Sequence, residues 1–461
     1  MSLKLGFYGG ANKVTGSNFL VEGEKGKILI DCGIEQGADI VESHIYGPFP
    51  YDVSSIDALV LTHAHLDHVG RIPKLVRDGF RGTLYMTPAT RDLAELILRD
   101  SVDILREEAY KKGREPLYEQ KDVDATFSRI QTLEYHTEKE IAPGLSVYLR
   151  NTGHILGSAS VRIQSDDGAV AFTGDIGNSP SPLLPDWEPI PDADVLVMES
   201  VYGNRLHPAH GDRSDILKQK LAKALDRGGT ILIPAFSLER TQLMLHELSN
   251  FFASGALPQV PVFLDSPLAI AVTDVYEKWG PTYFKNDTQQ EIRREGSIFK
   301  FPFLHMTKTR GESDQIATTA PQQKIIIAGA GMSHGGRIGR WEAKYLPDPK
   351  TTLFIVGYQA PGSPGRRLQE GTPSLTINNA KVSVRATIEN MEEWSGHADR
   401  DELMKFAEAT LPRTKTIFTA IGEPAAERFL AQRIHDYLGV RSIVPDSDKT
   451  YFLDKGILID K

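Results

Sequence analysis

The stretch His63-Ala64-His65-Leu66-Asp67-His68 constrains this chain more than any other feature. Four groups able to bind a cation lie within six residues, directly after the apolar run DALVLT at 57–62, which reads as a strand. Three imidazoles so close repel one another when protonated, whereas neutral imidazole is the commonest metal ligand. Extended backbone turns His63 and His65 to one side. A turn after them carries Asp67 and His68 toward a second ion. A solvated His-rich loop would need no companions, yet companions exist. His154 in TGHILGSAS and Asp175 in TGDIG each follow a strand-like run and sit among glycines that permit close backbone approach. Together they make a mixed imidazole and carboxylate donor set, which suits zinc. Asp31 in LIDCG is a candidate carboxylate to steady a ligand from behind.

The rest of the chain is consistent with a layered α/β protein. Strand-like runs at 17–22, 27–31, 146–150, 160–164, 169–173 and 194–198 end repeatedly in polar or ionisable residues, where α/β folds collect chemistry. Residues 88–113 carry the spacing of a long helix with one buried face. From about residue 205 the style changes. TILIP, VPVFL, KIIIA and TLFIV are continuous apolar runs of the kind buried in parallel sheets, each set between helical segments. VSVRATIEN and the segments after it resume the earlier style, so one domain is expected to be inserted into another. With 52 basic and 61 acidic side chains the formal charge is −9, which lacks the basic footprint of a non-specific nucleic-acid binder. The single cysteine, Cys32, excludes an intrachain disulfide and fits a reducing cytoplasm. No apolar run approaches the length of a membrane span.

Four further segments complete a resemblance: MESVYGNR (198–205), IIIAGAGMSHGGRIGRW (325–341), FIVGYQAPGSPGRRLQEG (354–371) and WSGHAD (394–399). With the histidine cluster they make the chain similar to the β-CASP branch of the metallo-β-lactamase superfamily. That branch includes the nuclease subunit of the cleavage-and-polyadenylation factor, RNase J-type enzymes and Artemis-type DNA nucleases. The resemblance implies an α/β fold, an αββα metallo-β-lactamase sandwich with an inserted α/β β-CASP domain lying as a lid across a metal cleft. The implied boundaries are 1–205 and 370–461 for the sandwich and 206–369 for the insertion.

The resemblance also implies two zinc ions, one on His63, His65 and His154, the other on Asp67 and His68, with Asp175 between them. A metal-bridging hydroxide would attack phosphorus. Glu199 falls on the family's motif A acid and His397 on its motif B histidine. Asp67, Glu199 and His397 are thus the expected catalytic residues, His397 as phosphate contact or general acid. Ser333, Arg337 and Arg366 lie in the insertion's loop motifs as expected substrate contacts, since arginine forks match phosphate. The implied activity is zinc-dependent hydrolysis of single-stranded RNA in processing or decay, by a cytoplasmic protein that needs no membrane; the sequence leaves a homodimer open. One position departs. RNA-processing members carry a motif C histidine where this chain has Ile421, in FTAIGEP (418–424). Isoleucine cannot ligate a metal, so the second ion would lose a ligand. That opens two alternatives: a DNA nuclease or other phosphodiesterase, since Artemis-type nucleases carry valine there, or a weakly active RNA-binding member. His334 is a candidate replacement ligand.

Overall fold

The computed structural model describes residues 3–459 except 37–41, 191, 208–212, 361 and 448. The chain divides into two compact units. One consists of Met1–Gln36, Ile40–Leu206 and His397–Lys461, and the other is essentially His207–Gly396.

The first unit stacks two sheets face to face. The eight-stranded sheet runs Ile457–Ile459, Thr450–Asp454, Leu3–Gly9, Asn18–Glu22, Lys27–Ile30, Ala58–Val60, Thr83–Met86, Ile130–Thr132. The seven-stranded sheet runs Arg441–Ile443, Thr416–Ala420, Val195–Glu199, Gly168–Phe172, Ala159–Ser165, Leu145–Asn151, Lys139–Ala142. Aromatic residues fill the space between them: Phe7 meets Phe418 at 5.1 Å between ring centroids, and Phe19 stacks on Phe172 at 5.5 Å. The strand VLVME at 195–199 is buried on both faces. Leu196 and Met198 join Ile417 against Leu403, Phe406, Leu430 and Ile434 of the helices Arg400–Ala409 and Pro424–Leu438. A strand covered on both faces cannot alternate, which explains its unbroken apolar run. Each such side chain contributes about 1.5–3 kcal/mol by leaving water. The runs at 17–22 and 27–31 pair as a hairpin with Val21 opposite Ile28, and the turn Asp166-Asp167-Gly168 joins two antiparallel strands with Ser165 opposite Gly168. The predicted long helix spans Pro88–Lys111, its start capped by Thr87 accepting from the Thr90 amide.

The second unit is built on a six-stranded sheet, parallel throughout, in the order Leu304–Met306, Val262–Leu264, Lys324–Ala328, Thr230–Pro234, Thr352–Val356, Thr387–Met391. KIIIA, TILIP and TLFIV are its fully buried strands, as their composition predicts. The unit runs on to Gly396, beyond the 369 read from the sequence. The reason is pairing: Thr387–Met391 joins the edge of the parallel sheet beside Thr352–Val356, and Ala380–Ser383 pairs with Ser374–Ile377. VSVRATIEN thus belongs with the insertion's sheet and not with the sandwich. Among the described residues no helix is long and apolar enough to cross a membrane.

Candidate metal centre

The ligand-type residues all sit at strand ends of the first unit. Ala58–Val60 delivers Thr62 and His63 in extended backbone, and His65 caps a short helix, Leu66–Val69, that contains Asp67 and His68. Gly33 lets this helix approach, since a Cβ there would lie 1.5 Å from the Asp67 carbonyl oxygen. His154 follows Leu145–Asn151 in a turn held by Ser158, whose Oγ accepts from the amides of His154 (3.2 Å) and Ile155 (3.3 Å). Asp175 follows Gly168–Phe172 after Gly174, whose φ is +57°.

These side chains converge. His63 Nε2 and His154 Nε2 each lie 3.1 Å from His65 Nδ1, while Asp175 Oδ2 is 3.4 Å from His63 Nε2 and 3.5 Å from His154 Nε2. One atom from each of His63, His65, His154 and Asp175 falls within 4.8 Å of the others. A tetrahedral ion with bonds of about 2.05 Å separates its ligands by about 3.3 Å, so the spacing fits such an ion. The second oxygen of Asp175 points elsewhere. Oδ1 is 3.4 Å from His68 Nε2, which is 3.9 Å from Asp67 Oδ2. Among the described residues, His68 Nε2 and Asp175 Oδ1 are buried polar atoms without a hydrogen-bond partner. Unsatisfied buried groups are costly, and a cation between them removes the cost.

Electrostatics agree with a ligand set for His63, His65 and His154. Burial holds His63 below the usual imidazole range, and burial with neighbouring imidazoles holds His65 and His154 well below it. These rings are therefore neutral, with lone pairs available. Burial alone would lower His68 too, but the Asp175 and Asp31 carboxylates outweigh it and lift the ring well above that range. Asp31 is fully buried behind His68. Its Oδ2 accepts from His68 Nδ1 at 2.7 Å and Thr62 Oγ1 at 2.9 Å, and its Oδ1 from the Thr62 amide at 2.8 Å. It sits at φ +58°, a left-handed conformation that Asp tolerates better than most residues.

Beside the cluster, His397 Nδ1 lies 3.3 Å from Glu199 Oε2 and 4.0 Å from Asp175 Oδ2, and its ring is 4.7 Å from that of His154. The main chain fixes this pair. The Ile176 amide donates to Glu199 Oε1 at 2.5 Å, and the Ala398 amide donates to the Ile176 carbonyl at 2.8 Å. Burial raises the Glu199 carboxyl, which the His397 charge counters. Asp175, Glu199 and His397 form the second group of ligand-type atoms within 4.8 Å; neither group includes His334. Thr62, which touches Asp31 and lies 3.0 Å from His63 Nδ1, was missed by sequence reasoning; its place between strand and histidines was the available signal.

Ile421 is buried at φ +50°. A β-branched residue there is an outlier, whereas histidine is enriched in that region. The backbone at 421 thus keeps a shape better suited to the residue it lacks. The three candidate substrate contacts of the second unit all have partners inside it. Ser333 Oγ donates to Glu342 at 2.6 Å, Arg337 pairs with fully buried Asp265 at 2.6 Å, and Arg366 pairs with Glu370 at 2.7 Å.

A buried set of three imidazoles and a two-sided carboxylate, next to a Glu–His pair, defines a metal-dependent hydrolase. Comparison with known proteins narrows the class. The Metallo-beta-lactamase superfamily profile matches residues 12–235, the Beta-Casp domain 241–368, and the Zn-dependent metallo-hydrolase RNA specificity domain 381–445. The chain is 35% identical over 397 residues to Ribonuclease TTHA0252 of Thermus thermophilus, covering 86% of this chain and 89% of that protein. It is 34% identical over 450 residues to Transcription termination factor FttA of Methanosarcina mazei, covering 94% and 69%. It is 30% identical over 449 residues to an RNase J-like protein of Methanocaldococcus jannaschii, covering 96% and 97%. A solved structure of a protein of unknown function from Enterococcus faecalis V583 shares the fold, with a TM-score of 0.57 at 12% identity over 98% of this chain and 100% of that one. The chain belongs to the β-CASP ribonucleases of the metallo-β-lactamase superfamily.

Proposed function

We propose that the protein is a zinc-dependent ribonuclease that hydrolyses phosphodiester bonds in single-stranded RNA. The observation that carries this reading is the convergence of His63, His65, His154 and Asp175 beside the Glu199–His397 pair. In this reading His63, His65 and His154 hold one zinc, and Asp67 and His68 a second. Asp175 serves both, since its two oxygens face the two groups separately. Bound zinc supplies Lewis-acid polarisation of a phosphoryl oxygen and makes water nucleophilic at neutral pH.

The chain's own residues do the rest. Asp31 orients His68 through Nδ1, leaving Nε2 for the metal side. Glu199 orients His397, which holds a proton on Nε2 for the departing sugar oxygen. Asp67 contributes its carboxylate to the second ion. Of the insertion residues, Arg366 suits a phosphate contact, because its (i, i+4) pair on the surface is worth only a few tenths of a kcal/mol and yields readily to phosphate. Arg337 is the opposite case. Withdrawing it would leave the buried Asp265 carboxylate without its counter-charge, held only by Thr307, Ser313 and Trp341, at a cost of up to about 3–5 kcal/mol. It shapes the loop, as Ser333 does through Glu342.

The test is metal quantitation on the purified protein together with cleavage of labelled single-stranded RNA and DNA of one sequence. The reading expects zinc to co-purify, RNA to be cut in preference to DNA, and His65→Ala to abolish both zinc binding and cleavage. Full cleavage by a His65→Ala protein, or cleavage of DNA alone, would overturn it.

A further inference from the structure

We infer that Glu427 is a positioning residue, which clamps together the strand-end loops that present the Glu199–His397 pair. The inference rests on the role proposed above for that pair.

Glu427 lies on the helix Pro424–Leu438, on a buried face shared with Ala426, Leu430, Ala431 and Ile434. An apolar side chain would pack there without desolvation cost. The carboxyl is instead spent on backbone. The Asn12 amide donates to Glu427 Oε1 at 2.9 Å and Oε2 at 3.2 Å, and the Gly422 amide lies close enough to the same carboxyl to favour its charged form. Asn12 belongs to the loop after the strand Leu3–Gly9, and Gly422 to the loop after Thr416–Ala420. These two loops are joined again where the Ile421 amide donates to the Gly10 carbonyl at 2.6 Å.

A third loop is tied to the same knot. The Ser200 amide donates to the Ile421 carbonyl at 3.2 Å, and Ser200 Oγ donates to the Ala420 carbonyl at 2.8 Å. The approach is so close that a Cβ on Gly422 would lie 2.3 Å from Ser200 Oγ and 3.0 Å from Glu427 Cγ. Ser200 is the residue after Glu199. A short route of contacts therefore runs from Glu427 through residues 421 and 422 to Ser200, and so to the carboxylate that orients His397.

Strain supplies an independent argument. Asn12 and Ile421 have φ of +56° and +50°. Left-handed backbone at non-glycine residues costs about 1–3 kcal/mol each and persists only where the surroundings over-determine it. Glu427 receives the amide of Asn12 and packs directly against Gly422, the neighbour of Ile421, and so locks both strained segments. Burial pushes its carboxyl up to about 8, so it is mainly neutral near pH 7 and glutamine is a close mimic.

The experiment compares Glu427→Ala, the volume-preserving Glu427→Leu and Glu427→Gln with wild type, all loaded with zinc. Two readouts are taken. One is kcat and KM on single-stranded RNA. The other is the His397 ring signal in protein labelled at histidine Cε1, assigned by its loss in His397→Ala. Glu427→Ala and Glu427→Leu are expected to lower kcat by about ten- to a hundredfold, the scale of a small misplacement of reacting groups. KM should stay within about twofold of wild type, by the same logic that the lost interaction acts only in the transition state. The His397 signal should move in both variants and return to the wild-type position in Glu427→Gln. An unmoved His397 signal in Glu427→Leu, with kcat unchanged, would overturn the inference even if the protein were less stable. So would a Glu427→Gln protein as impaired as Glu427→Leu. Wild type that cuts no RNA would sink the ribonuclease reading alone, because the His397 signal still reports on the clamp.

Discussion

Replacing Asp31 separates the two tasks the structure gives it, and the two obvious substitutions should fail differently. Asp31 accepts from the Thr62 amide, the Thr62 hydroxyl and His68 Nδ1 at 2.7–2.9 Å, in a position without solvent. Asp31→Ala strands the Thr62 amide and His68 Nδ1, whereas the Thr62 hydroxyl keeps His63 Nδ1 at 3.0 Å. At about 1–3 kcal/mol for each buried unsatisfied group, the loss is several kcal/mol, and alanine at a left-handed φ adds about 1–2 kcal/mol. That is comparable with the whole stability of an ordinary domain, about 5–15 kcal/mol, so Asp31→Ala should be largely unfolded or strongly destabilised. Asparagine fits both the space and the backbone. Its amide nitrogen, however, cannot accept from His68. The ring then takes the other tautomer, accepting at Nδ1 and carrying its proton on Nε2, the atom that faces Asp175 Oδ1 at 3.4 Å. A protonated Nε2 cannot ligate. Asp31→Asn should therefore fold, melt within a few degrees of wild type, and bind its more weakly held zinc about ten- to a hundredfold less tightly. Urea unfolding and competition with a chromogenic chelator measure the two effects. Equal stability of Asp31→Ala and Asp31→Asn would refute the hydrogen-bond argument, and unchanged zinc affinity in Asp31→Asn would refute the tautomer argument.

Further outcomes follow from other parts of the structure. His397→Ala should lower turnover by about a hundred- to ten-thousandfold, as expected of a lost general acid, with zinc content unchanged; loss of zinc in this variant would mark His397 as a ligand instead. Wild type should release one zinc equivalent to a chelator before the other, and Ile421→His should make the earlier one harder to remove, because histidine both tolerates the left-handed backbone and offers a nitrogen; equal retention of both ions in wild type would count against this. Glu239, buried beneath Tyr276 Oη at 2.6 Å, has its carboxyl pushed up to about 7 by desolvation. An acid whose pKa is higher folded than unfolded binds more protons when folded, so its contribution to stability declines as pH rises from the ordinary carboxyl range to about 7 and is level above. Glu239→Gln should accordingly gain up to about 3 kcal/mol relative to wild type between pH 4.5 and pH 8, read from urea midpoints; parallel pH dependence in the two proteins would exclude the assignment.

The metal centre was unusually legible because its chemistry is concentrated in one hexapeptide and at the ends of apolar strands. His63, His65 and His68 announce themselves by spacing, and His154 and Asp175 by repeating the pattern of strand, glycine and ligand. Thr62, Asn12 and Glu427 did not. Thr62 acts on the Asp31 side chain through its amide and hydroxyl, and the Asn12 amide meets Glu427 across 415 positions, and such contacts leave no period or composition to read. The end of the insertion was hidden for a different reason. Thr387–Met391 is an edge strand with one partner and partial exposure. It therefore reads as more polar than its fully buried parallel neighbour, TIENM beside TLFIV, and resembles the mixed strands of the sandwich although it lies in a parallel sheet. Arg337 looked like a phosphate contact because sequence shows the cation and conceals the buried Asp265 that holds it.

The chain leaves the first unit after Arg205 and has returned by Arg400, and there the Arg400 amide donates to the Arg205 carbonyl at 3.0 Å. Glu199 lies just before the departure and His397 at the return, 198 residues apart in sequence yet in contact. The six ligand-type residues, His63 to Asp175, all precede the departure. During synthesis on a ribosome, every group proposed to hold metal has emerged before the first residue of the insertion, whereas the histidine proposed as proton donor arrives only after its last. A growing chain thus acquires its proposed metal ligands long before it can assemble the Glu199–His397 pair, which needs both ends of the insertion.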